Sequence, residues 1–477
     1  MAQIHDLETL KNGAYKGTGL TSFKLTCPLD SFPNEILELG DALTQLDLSG
    51  TGLSSLPANI GTALPSLKII FLSNCNFTTF PAELSSCPKL EMVAFRSNRM
   101  TSIPENSLPP ALRWLILTDN LVPSLPESIG SCSRLQKCML AGNRLTSLPD
   151  TMSNCTKLSL LRLSANKFES LPQWLFKLPS LAFLSFAGNS CCSHHSSSPS
   201  GVATPLGLQH IPYSSLTIHS PPLGSGASGI ISRADWHQSP TYSEDVAIKL
   251  FRGHLTSDGT PADEMAACIA AGNHESLITV LGKIDDFPHD HDEVGGIVMQ
   301  LVPQEDYKVL GLPPSMESCT RDVFSDKTKG KWETPCVLSM LTGLAGAAGH
   351  LHQRGINHGD LYAHNVLAWK EGQHALLGDF GAATVYGTGK RREEECEGLE
   401  KLEVLAFGWL VEDMLGLLVD EEEEGPEGKE LRKGLWGLKE KCVVGDVEAR
   451  PSFEEIVEEL EGMVGWRGMM RIPTIPN

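Results

Sequence analysis

The sequence predicts two domains of different classes, an α/β repeat solenoid in the N-terminal part and an α+β domain of two lobes behind it. Three observations support this prediction. A leucine pattern returns roughly every 23 residues between positions 43 and 189, a glycine-rich stretch at 224–229 precedes Lys249, and an Asp, an Asn and a second Asp stand at positions 360, 365 and 379. With 477 residues, each domain is long enough to bury its own core.

The repeat frame L-x-x-L-x-L-x-x-N/C-x-L occurs in seven copies. They begin at Leu43, Leu67, Leu90, Leu112, Leu135, Leu158 and Leu181. Each copy predicts one short strand and a return segment that cannot bury its leucines alone, so neighbouring copies must stack into a curved solenoid. The Asn or Cys at the N/C position of the frame, replaced by Thr51 in the first copy, is expected to bridge backbone groups at the turn after the strand. The pattern resembles leucine-rich repeats and covers residues 20–190.

The residues between the inward leucines are expected to face the concave side of the solenoid, because side chains alternate along a strand. In copies two to four, five of these positions are apolar: Ile69, Phe71, Met92, Trp114 and Ile116. Scattered exposed apolar residues are normal, but a contiguous stripe on adjacent strands is typical of an interface. The sequence therefore predicts that a protein partner binds this concave stripe.

The glycine-rich stretch reads Leu223-Gly224-Ser225-Gly226-Ala227-Ser228-Gly229, and Val246-Ala247-Ile248-Lys249 follows it. Glycines allow backbone N–H groups to approach phosphates closely, and a lysine on the next strand supplies a cation for them. A glycine triplet alone is weak evidence for a phosphate site. Its weight depends on the motifs that come after it.

Two of these motifs are His358-Gly359-Asp360-Leu361-Tyr362-Ala363-His364-Asn365 and Asp379-Phe380-Gly381. Asp360 can orient a hydroxyl nucleophile, while Asn365 and Asp379 offer the oxygen ligands that Mg²⁺ prefers. The order of the four motifs resembles that of the catalytic domain of eukaryotic-type protein kinases. The expected fold class is therefore an α/β leucine-rich-repeat solenoid followed by an α+β bilobal protein-kinase fold.

The resemblance to protein kinases implies ATP and Mg²⁺ as cofactors and a protein as substrate. It implies that Asp360 is catalytic and that Lys249 positions the ATP phosphates, held by a glutamate from a helix near 262–271. Glu264 matches that position, and the adjacent Asp263 is expected to face elsewhere. The residues implied in nucleotide binding are Leu223, Gly224, Ser225, Gly226, Ala227, Ser228, Gly229, Ile231, Ala247, Lys249, Met299, Val302 and Leu367.

The predicted domain boundaries follow these patterns. Residues 1–19 form an N-terminal flank, 20–190 the repeats, 191–210 a flexible linker rich in Ser, His and Pro, 211–466 the kinase-like domain and 467–477 a C-terminal tail. Adjacent cysteines chelate poorly together, so Cys191 and Cys192 with the following histidines are assigned to the linker and not to a metal site.

The composition restricts the class of protein. The formal net charge of −20 argues against a nucleic-acid or anionic-membrane surface. Thirteen cysteines occur without a C-x-x-C pair, the chain starts Met1-Ala2-Gln3 without a signal-peptide pattern, and no apolar run reaches the ~20 residues that a bilayer requires. We therefore expect a cytoplasmic protein with reduced thiols and no membrane span.

Three departures from the kinase pattern leave alternatives open. Gly359 stands where the family usually has Arg, Tyr362 stands where Ser/Thr kinases carry Lys, and no A-P-E motif follows Gly381. Serine or threonine is the favoured acceptor, with tyrosine left open. The main alternative is a pseudokinase scaffold whose repeats bind a partner, and a small-molecule kinase is a third. We also predict that activity does not depend on phosphorylation of Thr384, Tyr386 or Thr388.

Overall fold

The computed structural model describes residues 3–192, 208–286, 293–325, 330–387 and 393–464. Most of the predicted linker, the predicted tail and Thr388 lie outside these residues. The chain divides into two compact units. Met1–Leu181 with Asn189–Cys191 form the first, and Ala182–Gly188 with Cys192–Asn477 form the second.

The first unit is built on a parallel sheet in which strands pair in chain order. Its strands are β1 (Ser22–Lys24), β2 (Gln45–Asp47), β3 (Ile69–Phe71), β4 (Met92–Ala94), β5 (Trp114–Ile116), β6 (Lys137–Met139) and β7 (Leu160–Arg162). The helices α1 (Leu7–Lys11) and α2 (Ile60–Ala63) and the 3₁₀ helices Asn34–Ala42, Ala82–Ser86, Glu127–Ser131, Asp150–Asn154 and Gln173–Lys177 complete the unit. The central residue of each strand is buried, as the leucine frame predicts.

The repeat asparagines have a structural role. The amide oxygen of Asn98 accepts a hydrogen bond from the Phe77 N–H at 3.1 Å, and its amide nitrogen donates to the Leu72 carbonyl at 2.8 Å. Asn120, one copy later, bonds the Met100 N–H and the Phe95 carbonyl in the same way. These side chains form hydrogen bonds with buried backbone N–H and C=O groups of adjacent copies, and such groups would be costly to leave unpaired.

The predicted concave stripe needs one correction. The register pairs Ile69 with Met92 and Met92 with Trp114, so the apolar residues do lie side by side on β3, β4 and β5. Met92, however, is buried with 5% exposure, and the expectation that it is exposed was wrong. It stands between Ile69 and Trp114, whose side chains are half-buried. Lys137 contributes a cation 4.5 Å from the Trp114 ring centroid.

The second unit begins with β8 (Phe183–Ser185) and then forms a small lobe around an antiparallel sheet ordered β10-β12-β13-β15-β14-β9, with β9 parallel to β14 and β11 beside β12. Its elements are β9 (Gln209–Pro212), β10 (Leu216–Ile218), β11 (Gly224–Ser225), β12 (Gly229–Ser239), β13 (Tyr242–Arg252), α3 (Pro261–Ala271), β14 (Val280–Asp285) and β15 (Glu293–Gln300). One face of this sheet forms an apolar core that includes Val246, Ile248 and Val298.

The large lobe of the second unit is mainly helical. Its helices are α4 (Thr334–Gln353), α5 (Glu393–Leu415), α6 (Pro426–Cys442) and α7 (Phe453–Val464). Short strands β16 (Tyr307–Val309), β18 (Val366–Trp369) and β19 (Ala375–Leu377) form one sheet, and β17 (Ile356–Asn357) pairs with β20 (Thr384–Val385). A parallel repeat sheet followed by a two-lobed α+β unit confirms the predicted fold class.

Helix α4 is the longest apolar stretch of the sequence, and it is buried inside the large lobe. Its glycines permit close packing, since a Cβ on Gly343 would lie 2.3 Å from the Ser276 hydroxyl and one on Gly349 would lie 3.3 Å from Phe453. Among the described residues, none of the helices combines the length and apolar character needed to traverse a bilayer.

Candidate active site

Strand register places four of the predicted nucleotide residues on one face of the small-lobe sheet. Ile231 on β12 is paired with Lys249 on β13, and Ala247 on β13 is paired with Met299 on β15. Because side chains alternate along a strand, these four share the face opposite the apolar core. Leu367 on β18, which pairs with Val309 of β16, belongs to the large-lobe sheet, and Val302 follows β15.

The glycine-rich loop is a tight turn between β11 and β12. The Leu223 N–H donates to the Ile231 carbonyl at 2.8 Å, and the Gly226 N–H donates to the Gly229 carbonyl at 2.9 Å. A Cβ on Gly229 would lie 2.2 Å from the Leu250 carbonyl oxygen, so only glycine fits there. Gly224 and Gly226 face open space, and the loop from Gly224 to Ala227 is exposed. This leaves backbone N–H groups accessible to a ligand.

Lys249 and Glu264 form a buried ion pair, with side-chain exposures of 12% and 1%. Burial alone would lower the pKa of Lys249, but the carboxylate of Glu264, with a further contribution from Asp379, raises it above its ordinary range. Glu264 lies on α3, which begins behind the Thr260 cap, whereas Asp263 turns back to bond the Thr260 hydroxyl at 2.6 Å. Glu264, and not Asp263, therefore contacts the lysine.

Asp360 is held by the asparagine five residues after it. The amide nitrogen of Asn365 donates to the Asp360 carbonyl oxygen at 2.8 Å and to its carboxylate at 2.9 Å. Both donor hydrogens of that amide are thereby used, so its carbonyl oxygen remains the group that can bind a cation. The Gly378 N–H donates to the Asn365 backbone carbonyl at 2.9 Å, which ties this loop to the second motif.

The Asp379-Phe380-Gly381 turn carries an exposed carboxylate and a buried ring. Asp379 has φ +52°, and its carboxylate accepts from the Gly381 N–H at 3.1 Å. Phe380 is buried, with its ring centroid 5.2 Å from that of His358. His358 also contacts the Gly378 carbonyl oxygen through Nε2 at 3.0 Å. The packing of Phe380 on His358 orients the Asp379 carboxylate away from the core.

Glu403 on α5 holds the backbone of the loop that contains Asp360. Glu403 is 1% exposed and accepts hydrogen bonds from the Gly359 N–H at 2.7 Å and the His358 N–H at 3.2 Å. It also contacts His352 Nε2 at 2.8 Å. Burial alone would raise the pKa of Glu403, but the His352 hydrogen bond, the charges of His352 and His358 and the Gly359 N–H lower it below its ordinary range.

The loop that contains Asp360 also carries His364, which is bound to Asp322 through its backbone N–H and Nδ1, both at 2.8 Å. Burial would lower the pKa of His364, but its hydrogen bond and charge pairing with Asp322 raise it. Tyr362 stacks on His364 at a centroid distance of 5.0 Å. An imidazole with a raised pKa thus stands on the loop that contains Asp360, beside Tyr362, which occupies the position where Ser/Thr kinases usually carry lysine.

The donor set fits a nucleotide with a divalent cation. Asn365 and Asp379 offer hard oxygen ligands beside a lysine and an open glycine loop. Among the described residues, no group of three or more His, Cys, Asp or Glu side chains could hold a metal ion. A cation at this site would therefore take its remaining ligands from phosphates and water, as expected for Mg²⁺.

The comparisons with known proteins agree with this geometry. Residues 218–410 match the family model described as protein tyrosine and serine/threonine kinase. The chain contains a protein kinase domain. Residues 133–190 and 66–87 match two leucine-rich-repeat models, so the chain also carries leucine-rich repeats in its N-terminal part. Kinases of this family use ATP and a divalent metal to phosphorylate proteins, and leucine-rich repeats commonly bind proteins.

One curated relative of this kinase is named "Probable myosin light chain kinase" and comes from Dictyostelium discoideum. It is 25% identical over 177 residues, which cover 36% of this chain and 49% of the relative. The chain thus spans about half the length of that relative. This similarity supports the assignment of a kinase domain. The substrate indicated by the relative's name is stated for that protein and not for this chain.

Several contacts of the site have no signal in the sequence motifs. His352 supports Glu403, and Asn357 donates a hydrogen bond to the Leu184 carbonyl at 2.7 Å. Thr384 and Tyr386 are both buried, with exposures of 0% and 2%. Nothing in the repeat pattern distinguishes 182–188 from the corresponding residues of earlier copies, so its contacts with the kinase motifs are visible only in three dimensions.

Proposed function

We propose that the chain is a catalytically active protein kinase that transfers the γ-phosphoryl group of ATP to a protein hydroxyl, with serine or threonine favoured. The observation that carries this proposal is the buried Lys249–Glu264 ion pair beside Asp379. Burying two opposite charges is costly unless they pair with each other, so the retention of both buried groups favours a functional site over one that has lost its catalytic role. We keep residues 20–190 and 211–466 as the proposed repeat and kinase domains.

Each charged side chain has one role in this proposal. Asp360 orients the acceptor hydroxyl and takes its proton, and Asn365 holds the Asp360 carboxylate through a hydrogen bond from its side-chain amide. Lys249, held by Glu264, neutralises the ATP phosphates. Asn365 and Asp379 would hold Mg²⁺, which supplies further charge neutralisation when bound.

The glycine-rich loop would contribute backbone N–H groups to the phosphates, and the small-lobe face opposite the apolar core would contribute to the adenine pocket. Ile231, Ala247, Leu367, Met299 and Val302 are the apolar residues that would hold the adenine ring. Catalysis then comes from positioning and charge neutralisation and needs no covalent intermediate.

The repeats recruit a protein in this proposal, through the concave stripe. Ile69 and Phe71 on β3 and Trp114 and Ile116 on β5 offer half-buried apolar surface, and Met92 on β4 fills the gap between these two strands. Aromatic residues of this kind commonly anchor interfaces. A cytoplasmic location is part of the same proposal, because all thirteen cysteines are free thiols.

A scaffold function is the second candidate, and one observation favours it. Phe183 covers the ring of Tyr362 on the acceptor side of the catalytic loop, which restricts access for a protein substrate. In a pure scaffold, nucleotide binding or partner binding would persist without phosphoryl transfer.

The test is transfer of labelled phosphate from ATP to myelin basic protein, comparing the parental protein with Lys249→Met and with Lys308→Met, a matched loss of an exposed lysine on β16. We expect Lys249→Met to lose ~10²-fold or more of the rate and Lys308→Met to keep it. Acid hydrolysis of the labelled acceptor identifies the phosphorylated residue type, and replacement of Mg²⁺ by Mn²⁺ or Ca²⁺ tests the metal. Absence of phosphate transfer in all three proteins would support the scaffold.

A further inference from the structure

Residues Ala182–Gly188, the 182–188 segment, pack with the kinase unit and lie against its catalytic loop. The ring of Phe183 stacks on the ring of Tyr362, with centroids 3.8 Å apart and an interplanar angle of 8°. Phe183 is 2% exposed and Tyr362 is 5% exposed. Tyr362 follows Asp360 by two residues, so the stack covers the loop surface next to the catalytic carboxylate.

The backbone of the 182–188 segment is bound on two strands of the kinase unit. The Leu184 carbonyl accepts from the Asn357 side chain on β17 at 2.7 Å, and the Phe186 N–H donates to the Thr384 hydroxyl on β20 at 3.0 Å. Asn357 and Thr384 are register partners on the paired strands β17 and β20, so both bonds hold the segment at one place on this strand pair. Satisfied buried backbone groups make such docking specific, since each would be costly to leave unpaired.

Gly359, at the position where kinases usually have arginine, leaves room for the 182–188 segment. Gly359 has φ +72°, and a Cβ there would lie 2.6 Å from the Leu184 carbonyl oxygen and 2.8 Å from that of Ala382. Any other side chain at this position would clash with the docked segment. The departure from the kinase pattern thus has a steric reason in the fold of this chain.

We propose that Asn357, Gly359, Tyr362 and Thr384 form a docking site whose occupant is the 182–188 segment of the same chain, and that the docked segment excludes a protein acceptor. The inference rests on the proposed kinase function. An acceptor hydroxyl must come within hydrogen-bond reach of Asp360. The residues flanking that hydroxyl extend ~3.3 Å each along the loop, and they need the surface that Phe183 covers.

The same docking explains why the start of the activation segment is not a simple phosphorylation switch. The Thr384 hydroxyl is fully buried and accepts the Phe186 N–H. A phosphate cannot be added there until the 182–188 segment leaves. Release of the segment therefore comes before both acceptor binding and any modification of Thr384.

The first test removes the acceptor of the Phe186 hydrogen bond in the full chain. Thr384→Val keeps the shape of the side chain and removes the hydroxyl that accepts from that N–H, so we expect hydrogen exchange of the 182–188 segment to rise about tenfold. Thr384→Ser keeps the oxygen and should exchange near the parental rate. Phe183→Ala, which removes the stack by a different route, should also raise exchange. Melting temperatures confirm that each variant is folded.

The second test asks whether the docked segment excludes an acceptor. We expect Thr384→Val and Phe183→Ala to raise the rate of phosphate transfer to myelin basic protein several-fold at an unchanged KM for ATP. We also expect saturating myelin basic protein, without ATP, to raise hydrogen exchange of the 182–188 segment in the parental protein. This hydrogen-exchange measurement does not require catalysis.

The outcomes separate the two proposals. Unchanged exchange in Thr384→Val would overturn the docking site. Faster exchange in both variants with equal or slower transfer, or an acceptor that leaves parental exchange unchanged, would overturn the exclusion of the acceptor. If no protein transfers phosphate but the acceptor still releases the segment, the docking inference stands and the proposed catalytic function fails.

Discussion

Glu403 is the group on which the geometry of the catalytic loop depends most. The substitution Glu403→Gln keeps the shape of the side chain but removes its charge and replaces one oxygen by an amide donor. The parental carboxylate accepts from the Gly359 N–H, the His358 N–H and His352. Glutamine has one oxygen for these donors, so at least one buried donor faces the new NH₂ group. Breaking a buried charged network of this kind typically costs ~3–5 kcal/mol.

We therefore expect the urea transition of the kinase unit to lose roughly 3 to 5 kcal/mol of unfolding free energy in Glu403→Gln. The matched control is Glu397→Gln on the same helix, whose side chain is 62% exposed and lies 3.9 Å from Lys401. That surface change should stay within about 0.5 kcal/mol of the parental protein. A Glu403→Gln variant as stable as this control would refute the anchoring role.

The pH dependence follows from the lowered pKa of Glu403. Its ordinary value is 4.5, and the folded value lies below that. A carboxyl group with a lowered folded pKa contributes stability above its unfolded pKa and loses that contribution as pH falls through the folded pKa. The stability difference between the parental protein and Glu403→Gln should be full near neutral pH and shrink below about pH 4.5. A difference that stays constant down to pH 3 would contradict the assignment.

Three further predictions concern other parts of the chain. Asn98→Ala should lower the unfolding free energy of the repeat unit by ~2 kcal/mol or more, because it removes the hydrogen bonds to the Phe77 N–H and the Leu72 carbonyl. Urea denaturation measures this loss, and an unchanged midpoint would contradict the prediction. Trp114→Ala should weaken binding of a partner protein to the repeats by ~2 kcal/mol with little change in melting temperature. Trp174→Ala, outside the concave strands, should leave this binding unchanged, and equal effects of the two variants would count against the concave stripe as the binding site. Phosphatase treatment should leave the initial kinase rate within twofold of the untreated rate, because Thr384 is buried; a tenfold fall would show a phosphorylation switch.

Much of the fold could be predicted because its signals are local. The leucine frame determines which strand residues point inward, and the buried centres of β2 to β7 follow it. The spacing of Asn365 after Asp360 likewise predicts a loop in which the amide reaches the carboxylate. Such features depend on residues close in sequence, where alternation and turn geometry decide the outcome.

The features that sequence reasoning missed depend on long-range packing. Met92 is buried between Ile69 and Trp114 on the adjacent strands, and the repeat frame does not specify which residues occupy these neighbouring positions. Phe183 and Tyr362 are 179 residues apart in sequence, as 362 minus 183, and no motif links them. Gly359 is visible in the sequence as a departure, but its steric reason, the Leu184 carbonyl, is not.

The most direct test of the central claim, that this chain catalyses phosphoryl transfer, is a single-turnover measurement on Asp360→Asn. Asparagine keeps the size of the side chain and removes the group that takes the acceptor proton. With saturating ATP and myelin basic protein, we expect the transfer rate to fall ~10²-fold or more, while the affinity for ATP stays within about twofold. An Asp360→Asn protein that transfers phosphate at the parental rate would contradict the account.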